Sequence, residues 1–315
     1  MTKFLLKIFL FFTFFAAVDI ISGYVFSFIR SRSQKGSETL NSEIIANRLE
    51  DDIIILGSSR ALHHYNPQVF TNILGLTCHN CGEGGHGIIF EYGRYKMLTS
   101  RYTPKLIIYE LTPSFDYGKE KSYSKYLGKL RPYYDKEGIK DIFKDFDSEL
   151  TELKMVSNMF KNNSMILPYL FDFVKEGKLI KGYSPLYGQI HNYIVEESPL
   201  PPDIDIDSLK YSYLEKMVLD AQSKKIPIVF AMSPIYGSAI NPGPEYDYRP
   251  AMHIFKKYNI LFFNYLHYEP IALNQSYFHD GGHMNDDGAN AYSALLAKQI
   301  AESLSLCTDV EAQEE

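Results

Sequence analysis

The chain has 315 residues with a formal net charge of −6, and 45% of them are hydrophobic. That balance excludes a disordered or collagen-like chain, and three cysteines are too few for a disulfide scaffold. There is no basic tail or Lys/Arg stripe, so nucleic acid is not expected as a partner, and a mean hydropathy of −0.19 excludes a polytopic membrane protein.

The first element is the apolar run Ile8 to Ile29, in which Asp19 is the only charge. Its length suits a bilayer core, which takes roughly 20 helical residues, and its apolar residues surround the helix rather than forming a stripe. No small-x-small cleavage site precedes Arg30, so residues 1–30 are expected to form an uncleaved, single-pass transmembrane anchor. A central carboxylate costs about 3 kcal/mol on insertion scales, which the surrounding Phe, Ile and Leu residues offset. Lys3 and Lys7 flank one end and Arg30, Arg32 and Lys35 the other, so positive charge alone does not set the orientation. Residues 31–43 are polar and predicted to be a linker.

From residue 44 to about 310 the chain alternates strand and helix signals. Five short apolar runs predict buried parallel strands: Ile53 to Leu56, Leu76 to His79, Leu106 to Leu111, Ile226 to Met232 and Ile260 to Tyr265. Helical patterns lie between them. Leu209 to Lys224 carries Leu214, Met217, Val218 and Ala221 on one face, and Ala289 to Leu306 carries Tyr292, Leu296 and Ile300. This alternation predicts an α/β fold with both faces of a five-stranded sheet covered. Residues 117–207 interrupt the rhythm. They hold a helical stretch from Asp141 to Phe160 and end in the extended segment Ser198 to Asp203, and are predicted to be an insertion capping the sheet rather than an independent domain. No internal repeat is visible.

Three strand ends carry residue types that could do chemistry. After Asp52-Ile-Ile-Ile-Leu-Gly57 the chain breaks into Ser58-Ser59-Arg60, which presents a hydroxyl and the first amides of a helix at the carboxyl edge of the sheet. A serine there is either a nucleophile or a helix N-cap. The second strand ends in Asn80-Cys-Gly82-Glu-Gly84-Gly85-His-Gly87, where glycine lets backbone amides turn toward a ligand or simply makes turns. Near the carboxyl terminus, Asp280-Gly-Gly-His283 precedes the last helix, whose N-cap is Asn285 or Asp286. An Asp three residues before a His can accept its Nδ1 proton while Nε2 points at a hydroxyl, and Ser59 would complete a nucleophile, base and orienter.

These blocks, Gly57-Ser58-Ser59, Asn80-x-Gly82-x-x-Gly85 and Asp280-x-x-His283, resemble the successive motifs of the SGNH (GDSL-like) hydrolases over about residues 45 to 306. The resemblance implies a flavodoxin-like, three-layer α/β/α sandwich with Ser59 as nucleophile and His283 and Asp280 as the rest of a triad. It further implies an oxyanion hole from the Ser59 and Gly85 amides, and no cofactor. Two blocks depart from the family pattern. Ser58 stands where the family has Asp, and the third block, usually Gly-x-Asn-Asp, is Thr112-Pro113-Ser114-Phe115-Asp116. Ser114, or Asn163 from the insertion, is the candidate replacement for the missing asparagine donor. Loss of one such donor costs roughly 10² to 10³ in rate. The anchor, the Gly-Ser-Ser turn and the insertion look like the membrane-anchored relatives that handle acyl groups in alginate acetylation and teichoic acid alanylation.

The expectation is therefore an extracytoplasmic, membrane-anchored esterase or O-acyltransferase. It would act on a small acyl group such as acetyl on a cell-surface glycan, with a membrane-bound acyl-transfer partner in the transferase case. The alternative is a non-catalytic glycan-binding or assembly subunit of the same fold. Arg60 would steer the substrate carbonyl or an anionic group, and Tyr133, Tyr134, Tyr183 and Tyr187 would stack on sugar rings or pack a lid. Cys78 and Cys81 have redox spacing but end a strand rather than open a helix. They would pair only structurally, with Cys307 left over. His63, His64, His86, His279 and His283 show no recognisable metal-ligand pattern, so no metal is expected.

Overall fold

The five apolar runs form one parallel sheet in the computed structural model, which describes residues 1–146, 151–191, 203–237 and 246–314, with side chains through residue 303. The strands are β1 (Ile53–Gly57), β2 (Cys78–Asn80), β3 (Leu106–Glu110), β4 (Ile228–Met232) and β5 (Phe262–Asn264). β4 begins after Pro227, which has no N–H to give a ladder. The order β2-β1-β3-β4-β5 is the flavodoxin-like doubly wound one. It reverses direction between β1 and β3, so the carboxyl ends of these two strands border a crevice. Gly57 pairs with Glu110 at that end.

In chain order the helices before β3 are α1 (Thr2–Arg32), α2 (Glu38–Asn47), α3 (Ser59–His64), α4 (Pro67–Leu74) and α5 (Ile88–Thr99). After β3 come α6 (Pro113–Asp116), α7 (Ser124–Leu130), α8 (Ile139–Phe146), α9 (Thr151–Lys154), α10 (Asn158–Asn162) and α11 (Ile166–Val174). The remainder are α12 (Ser208–Ser223), α13 (Arg249–Lys257), α14 (Glu269–Ala272) and α15 (Asp286–Glu314).

Successive strand residues face opposite sides, and both sides are dry. Ile54, Leu56, Tyr109, Phe230 and Met232 pack against α2, α5, α12 and α13. Ile53, Ile55, Ile108, Val229 and Ala231 pack against Phe70 of α4 and Tyr292, Leu296 and Ile300 of α15. The result is a three-layer α/β/α sandwich, and the apolar faces predicted for α12 and α15 are the buried ones.

Residues 31–43 are structured, contrary to the linker expected there. α1 continues to Arg32, Ser37 caps α2 by accepting the Leu40 N–H at 3.2 Å, and Ile45 and Ala46 are fully buried. The polar side chains that suggested a linker serve as caps and ion-pair partners, such as Glu43 with Arg30 at 3.2 Å. The continuous helix expected over Asp141 to Phe160 is also broken. α8 stops at Phe146, residues 147–150 lie outside the described ones, and Ser157 starts α10 by accepting the Phe160 N–H at 3.2 Å. Of the extended segment Ser198 to Asp203, all but Asp203 lies outside the described residues. α7 and α8 bury Tyr126, Leu130, Ile139 and Phe143 in the same core as α5. Among the described residues one helix, α1, is long and apolar enough to cross a membrane.

Candidate active site

The turn after β1 depends on Gly57. Its φ is +135°, and a Cβ there would lie 2.7 Å from the carbonyl oxygen of Glu110, so no other residue fits. Ser58 is then the N-cap of α3 and Ser59 its first residue. Ser59 does not cap the helix. Its Oγ lies 2.9 Å from Nε2 of His283, 224 residues along the chain.

His283 sits in a tight loop closed by an antiparallel bridge between Phe278 and Met284. Its Nδ1 lies 3.0 and 3.1 Å from the two carboxylate oxygens of Asp280. With Nδ1–H donating to the carboxylate, Nε2 is left to accept the Ser59 hydroxyl. Asp280 Oδ1 also accepts the N–H groups of Gly282 and His283, each at 2.8 Å. Burial pushes the Asp280 carboxyl up, but the Gly282 N–H and the His283 ring outweigh it and hold the group below its ordinary range. Of the two expected caps of α15 it is Asn285 that serves, its Oδ1 accepting the Gly288 N–H at 3.0 Å.

Beneath this relay lies a buried polar layer. The Met284 N–H donates to Nε2 of His64 at 3.0 Å, so the His64 proton is on Nδ1, which donates to Ser233 Oγ at 2.7 Å. Ser233 Oγ and N–H both donate to Glu110, at 3.0 Å each. Tyr65 donates to the same carboxylate, and Arg60 Nε pairs with it at 3.1 Å. Burial, then the neighbouring His283 and Arg60, hold His64 well below its ordinary range, so its ring is neutral. Burial pushes the Glu110 carboxyl up, and Arg60 pulls against it.

Arg60, expected at the substrate, is therefore turned inward. It is 4% exposed, donates to the carbonyls of Leu111 at 2.6 Å and Ser233 at 3.3 Å, and places its guanidinium 5.3 Å from the Tyr246 ring. A carboxylate buried at the end of β3 needs a countercharge, and Arg60 supplies it.

The glycine-rich block divides into a support and an open turn. Asn80 donates to the carbonyls of Ala61 and Tyr65 at 2.6 and 2.9 Å, tying down the end of α3, and accepts the Gly82 N–H at 2.9 Å. Gly84 and Gly85 are the central residues of a turn closed by the His86 N–H on Glu83 O at 3.1 Å. Gly85 has φ +72° and nothing within 4 Å of where a Cβ would stand. Glu83 anchors the turn from below, bound by Arg94 at 2.5 Å and by Lys129. Burial raises its carboxyl, but the two cations more than reverse this and hold it at about 2.

Neither Gly85 nor Ser114 hydrogen-bonds to Ser59 or His283. Ser114 lies in α6, and the third block is held by Asp116, which accepts the Thr112 N–H and the Tyr109 hydroxyl, each at 2.6 Å. Asn163 is exposed in the insertion and accepts from Arg131 at 3.5 Å. Its partner is in the insertion rather than at Ser59.

Residues 180–190, in the later part of the insertion, cross the carboxyl edge of the sheet as a strap. The Lys181 carbonyl takes the Asn80 N–H at 2.9 Å, the Ser184 carbonyl takes His63 Nδ1–H at 2.7 Å, and the Tyr187 carbonyl takes His279 Nδ1–H at 2.7 Å. Tyr183 is buried, with its hydroxyl on Asp286 at 2.8 Å. Tyr133 and Tyr134 are buried as well, so of the four tyrosines only Tyr187, 70% exposed, presents its ring to solvent.

Cys78 and Cys81 are both free. They fall in the cores on opposite sides of the sheet, which prevents pairing without breaking β2. The Cys307 side chain lies outside the described ones. Among the described residues no group of three His, Cys, Asp or Glu side chains is arranged to hold a metal.

His64, Ser233, Glu110 and the strap have roles that sequence reasoning did not assign. Glu110 did leave a signal: a lone carboxylate inside a buried apolar run must find partners.

The structure is thus an α/β sandwich with Ser59, His283 and Asp280 hydrogen-bonded in series at the carboxyl edge of its sheet. No protein-family model matches the chain, and neither does any curated protein. Among solved structures, it is similar to a lipolytic protein of the G-D-S-L family from Desulfitobacterium hafniense, at 9% identity over 78% of this chain and 98% of the other, with a TM-score of 0.40. An acylhydrolase from Bacteroides fragilis is 12% identical over 84% and 95%, with a TM-score of 0.38. A GDSL-like lipase from Bacteroides thetaiotaomicron is 14% identical over 80% and 88%, also at 0.38. These are likenesses of overall shape alone.

Proposed function

We propose that this chain is a serine-dependent acyl enzyme of SGNH type, an esterase or O-acyltransferase for a small acyl group such as acetyl on a cell-surface glycan. α1 would anchor it in the membrane with the sandwich on the extracytoplasmic side. The observation that carries the chemistry is the relay itself: Ser59 Oγ is 2.9 Å from His283 Nε2, and His283 Nδ1 is 3.0 Å from Asp280. A hydroxyl from early in the chain and an imidazole and a carboxylate from one loop near its other end align in the order that acyl transfer needs.

Ser59 Oγ attacks the ester carbonyl as its proton moves to His283 Nε2, and Asp280 stabilises the imidazolium. The negative charge on the carbonyl oxygen is met by the N–H of Ser59, which as the first residue of α3 has no intrahelical acceptor. The Gly85 N–H is the second donor in this reading and Ser114 the third. The carbon–oxygen bond to the leaving group then breaks, and His283 returns the proton to the departing alkoxide. The acyl group stays on Ser59 until water or a sugar hydroxyl, deprotonated by His283, attacks it. Water gives an esterase. A sugar hydroxyl gives a transferase, for which a membrane-bound partner would supply the acyl group.

The test is labelling by a fluorophosphonate probe and turnover of p-nitrophenyl acetate by the full-length chain in detergent, compared with Ser59→Ala and His283→Ala. Each substitution should lower turnover by about 10⁴-fold and remove the label. A folded wild-type protein that neither labels nor turns over would point instead to a glycan-binding subunit.

A further inference from the structure

Outside α1, large exposed apolar side chains concentrate in one stretch of the insertion. Leu153, Val156 and Met159 are open to solvent around α9 and α10, and α11 exposes Leu167, Leu170, Phe171 and Val174. Those four stand at i, i+3, i+4 and i+7, one face of a helix. The opposite face of α11 holds α1. Tyr169 is buried with its ring 6.2 Å from Phe26, and the Asp172 carbonyl accepts the Gln34 N–H at 2.7 Å.

The patch is continuous with the anchor. Residues 1–18 of α1 are exposed throughout, and Asp19 is where its side chains begin to bond to the rest of the described chain. The Asp19 carboxylate accepts Ser157 Oγ–H at 2.6 Å and the N–H groups of Asn158 and Met159 at 2.8 and 3.0 Å. Gly23 makes room, since a Cβ there would stand 2.8 Å from the Asn158 side chain. The anchor is thus fastened to the insertion between Val156 and Met159. Its lone carboxylate, costly in a bilayer if unpaired, is satisfied by protein donors.

Up to Ile21 the large apolar side chains of α1 are all exposed, and Phe4 to Ile21 is about 27 Å of helix at ~1.5 Å per residue. That is close to a hydrocarbon core of ~30 Å, so Asp19 falls near its edge. Fastened at Asp19, α9 to α11 then lie at the bilayer surface. Exposed Lys154, Lys175 and Lys178 then border the patch at headgroup level.

We propose that Thr151–Val174 is a membrane-contact surface. Its apolar side chains sit in the headgroup–acyl boundary of the bilayer that α1 crosses, fixing the orientation of the sandwich. The proposal rests on the reading of α1 as a membrane anchor.

The chain has no tryptophan, so a single introduced one reports its own surroundings. Full-length Val156→Trp, Phe171→Trp, Phe12→Trp in α1 and Leu261→Trp beside β5 would be reconstituted in phosphatidylcholine vesicles without bromine and with bromine on the acyl chains, near the headgroup to read positions 156, 171 and 261 and near the chain ends to read position 12. An interfacial apolar face lies ~5–10 Å into the boundary, so brominated lipid should remove roughly half or more of the emission at positions 156 and 171 and little at 261. Quenching at 12 without quenching at 156 and 171 would overturn the proposal while sparing the anchor, and would leave the stripe for a protein partner. Absence of quenching at 12 would overturn the anchor reading and the proposal with it. Equal quenching at 261 would overturn it as well, by showing no preferred face.

Discussion

The backbone N–H of Met284 donates to Nε2 of His64 at 3.0 Å, one residue beyond His283. A neutral, buried histidine thus holds the loop whose own histidine faces Ser59. His64→Phe removes the acceptor and leaves both Met284 N–H and Ser233 Oγ short of a partner. A displacement of about 1 Å at a reacting group costs up to ~10²-fold, so kcat for p-nitrophenyl acetate should fall by about that factor with KM little changed. His64→Gln, whose side-chain carbonyl can accept the same N–H, should recover most of it. A His64→Phe enzyme with unaltered kcat would remove the positioning role.

Asp280 sets which nitrogen of His283 carries the proton. Asp280→Asn presents an amide that can turn its N–H₂ toward Nδ1 and force the proton onto Nε2, where it cannot accept from Ser59. Turnover should drop by about 10³- to 10⁴-fold. Circular dichroism should be unchanged, because the Asn Oδ1 can still accept the Gly282 N–H.

Glu83, Arg94 and Lys129 make stability depend on acid. The Glu83 carboxyl is at about 2 in the folded chain against an ordinary 4.5, so the proton favours the unfolded state's carboxylate. The contribution is complete above pH 4.5, worth about 3 kcal/mol, and is lost as the pH falls from there toward 2. Denaturant midpoints at pH 7, 4 and 3 should show the decline, and Glu83→Gln should be less stable at pH 7 with a flatter slope below pH 4.5.

Gly182 has φ +80°, and a Cβ on it would lie 1.8 Å from the carbonyl oxygen of Asn80. Gly182→Ala should therefore lift the strap from the edge of β2 and lower stability by about 2 kcal/mol or more. Thermal unfolding of the two proteins side by side measures this. An unshifted Tm would mean the strap contributes nothing to the fold.

The sheet was legible because its strands are buried on both faces and so appear as uninterrupted apolar runs, Ile53 to Leu56 being the plainest. Asp280 and His283 were legible because their interaction is local, three residues apart in one loop. Arg60 was misjudged because its partner, Glu110, lies fifty residues away on the neighbouring strand. A basic residue at the start of a helix looks solvated until the fold brings that carboxylate beneath it. His64 and Ser233 went unassigned for the same reason. Tyr133, Tyr134 and Tyr183 could not be told from Tyr187, since the residue type says nothing about which ring the insertion turns inward. Residues 31–43 look like a linker only while their caps and ion-pair partners, Asp172 and Arg30 among them, are out of view.

The Ser59–His283 bond joins α3, made early in the chain, to a loop made just before α15, which packs against α3 and α4. Chains acquire structure from the amino terminus as they emerge, at about 5–20 residues per second. A nascent chain therefore carries Ser59 for some time while lacking His283 altogether. Until residues 280–283 have been made its hydroxyl stays an ordinary alcohol, and a chain cut short before residue 280 would leave it so.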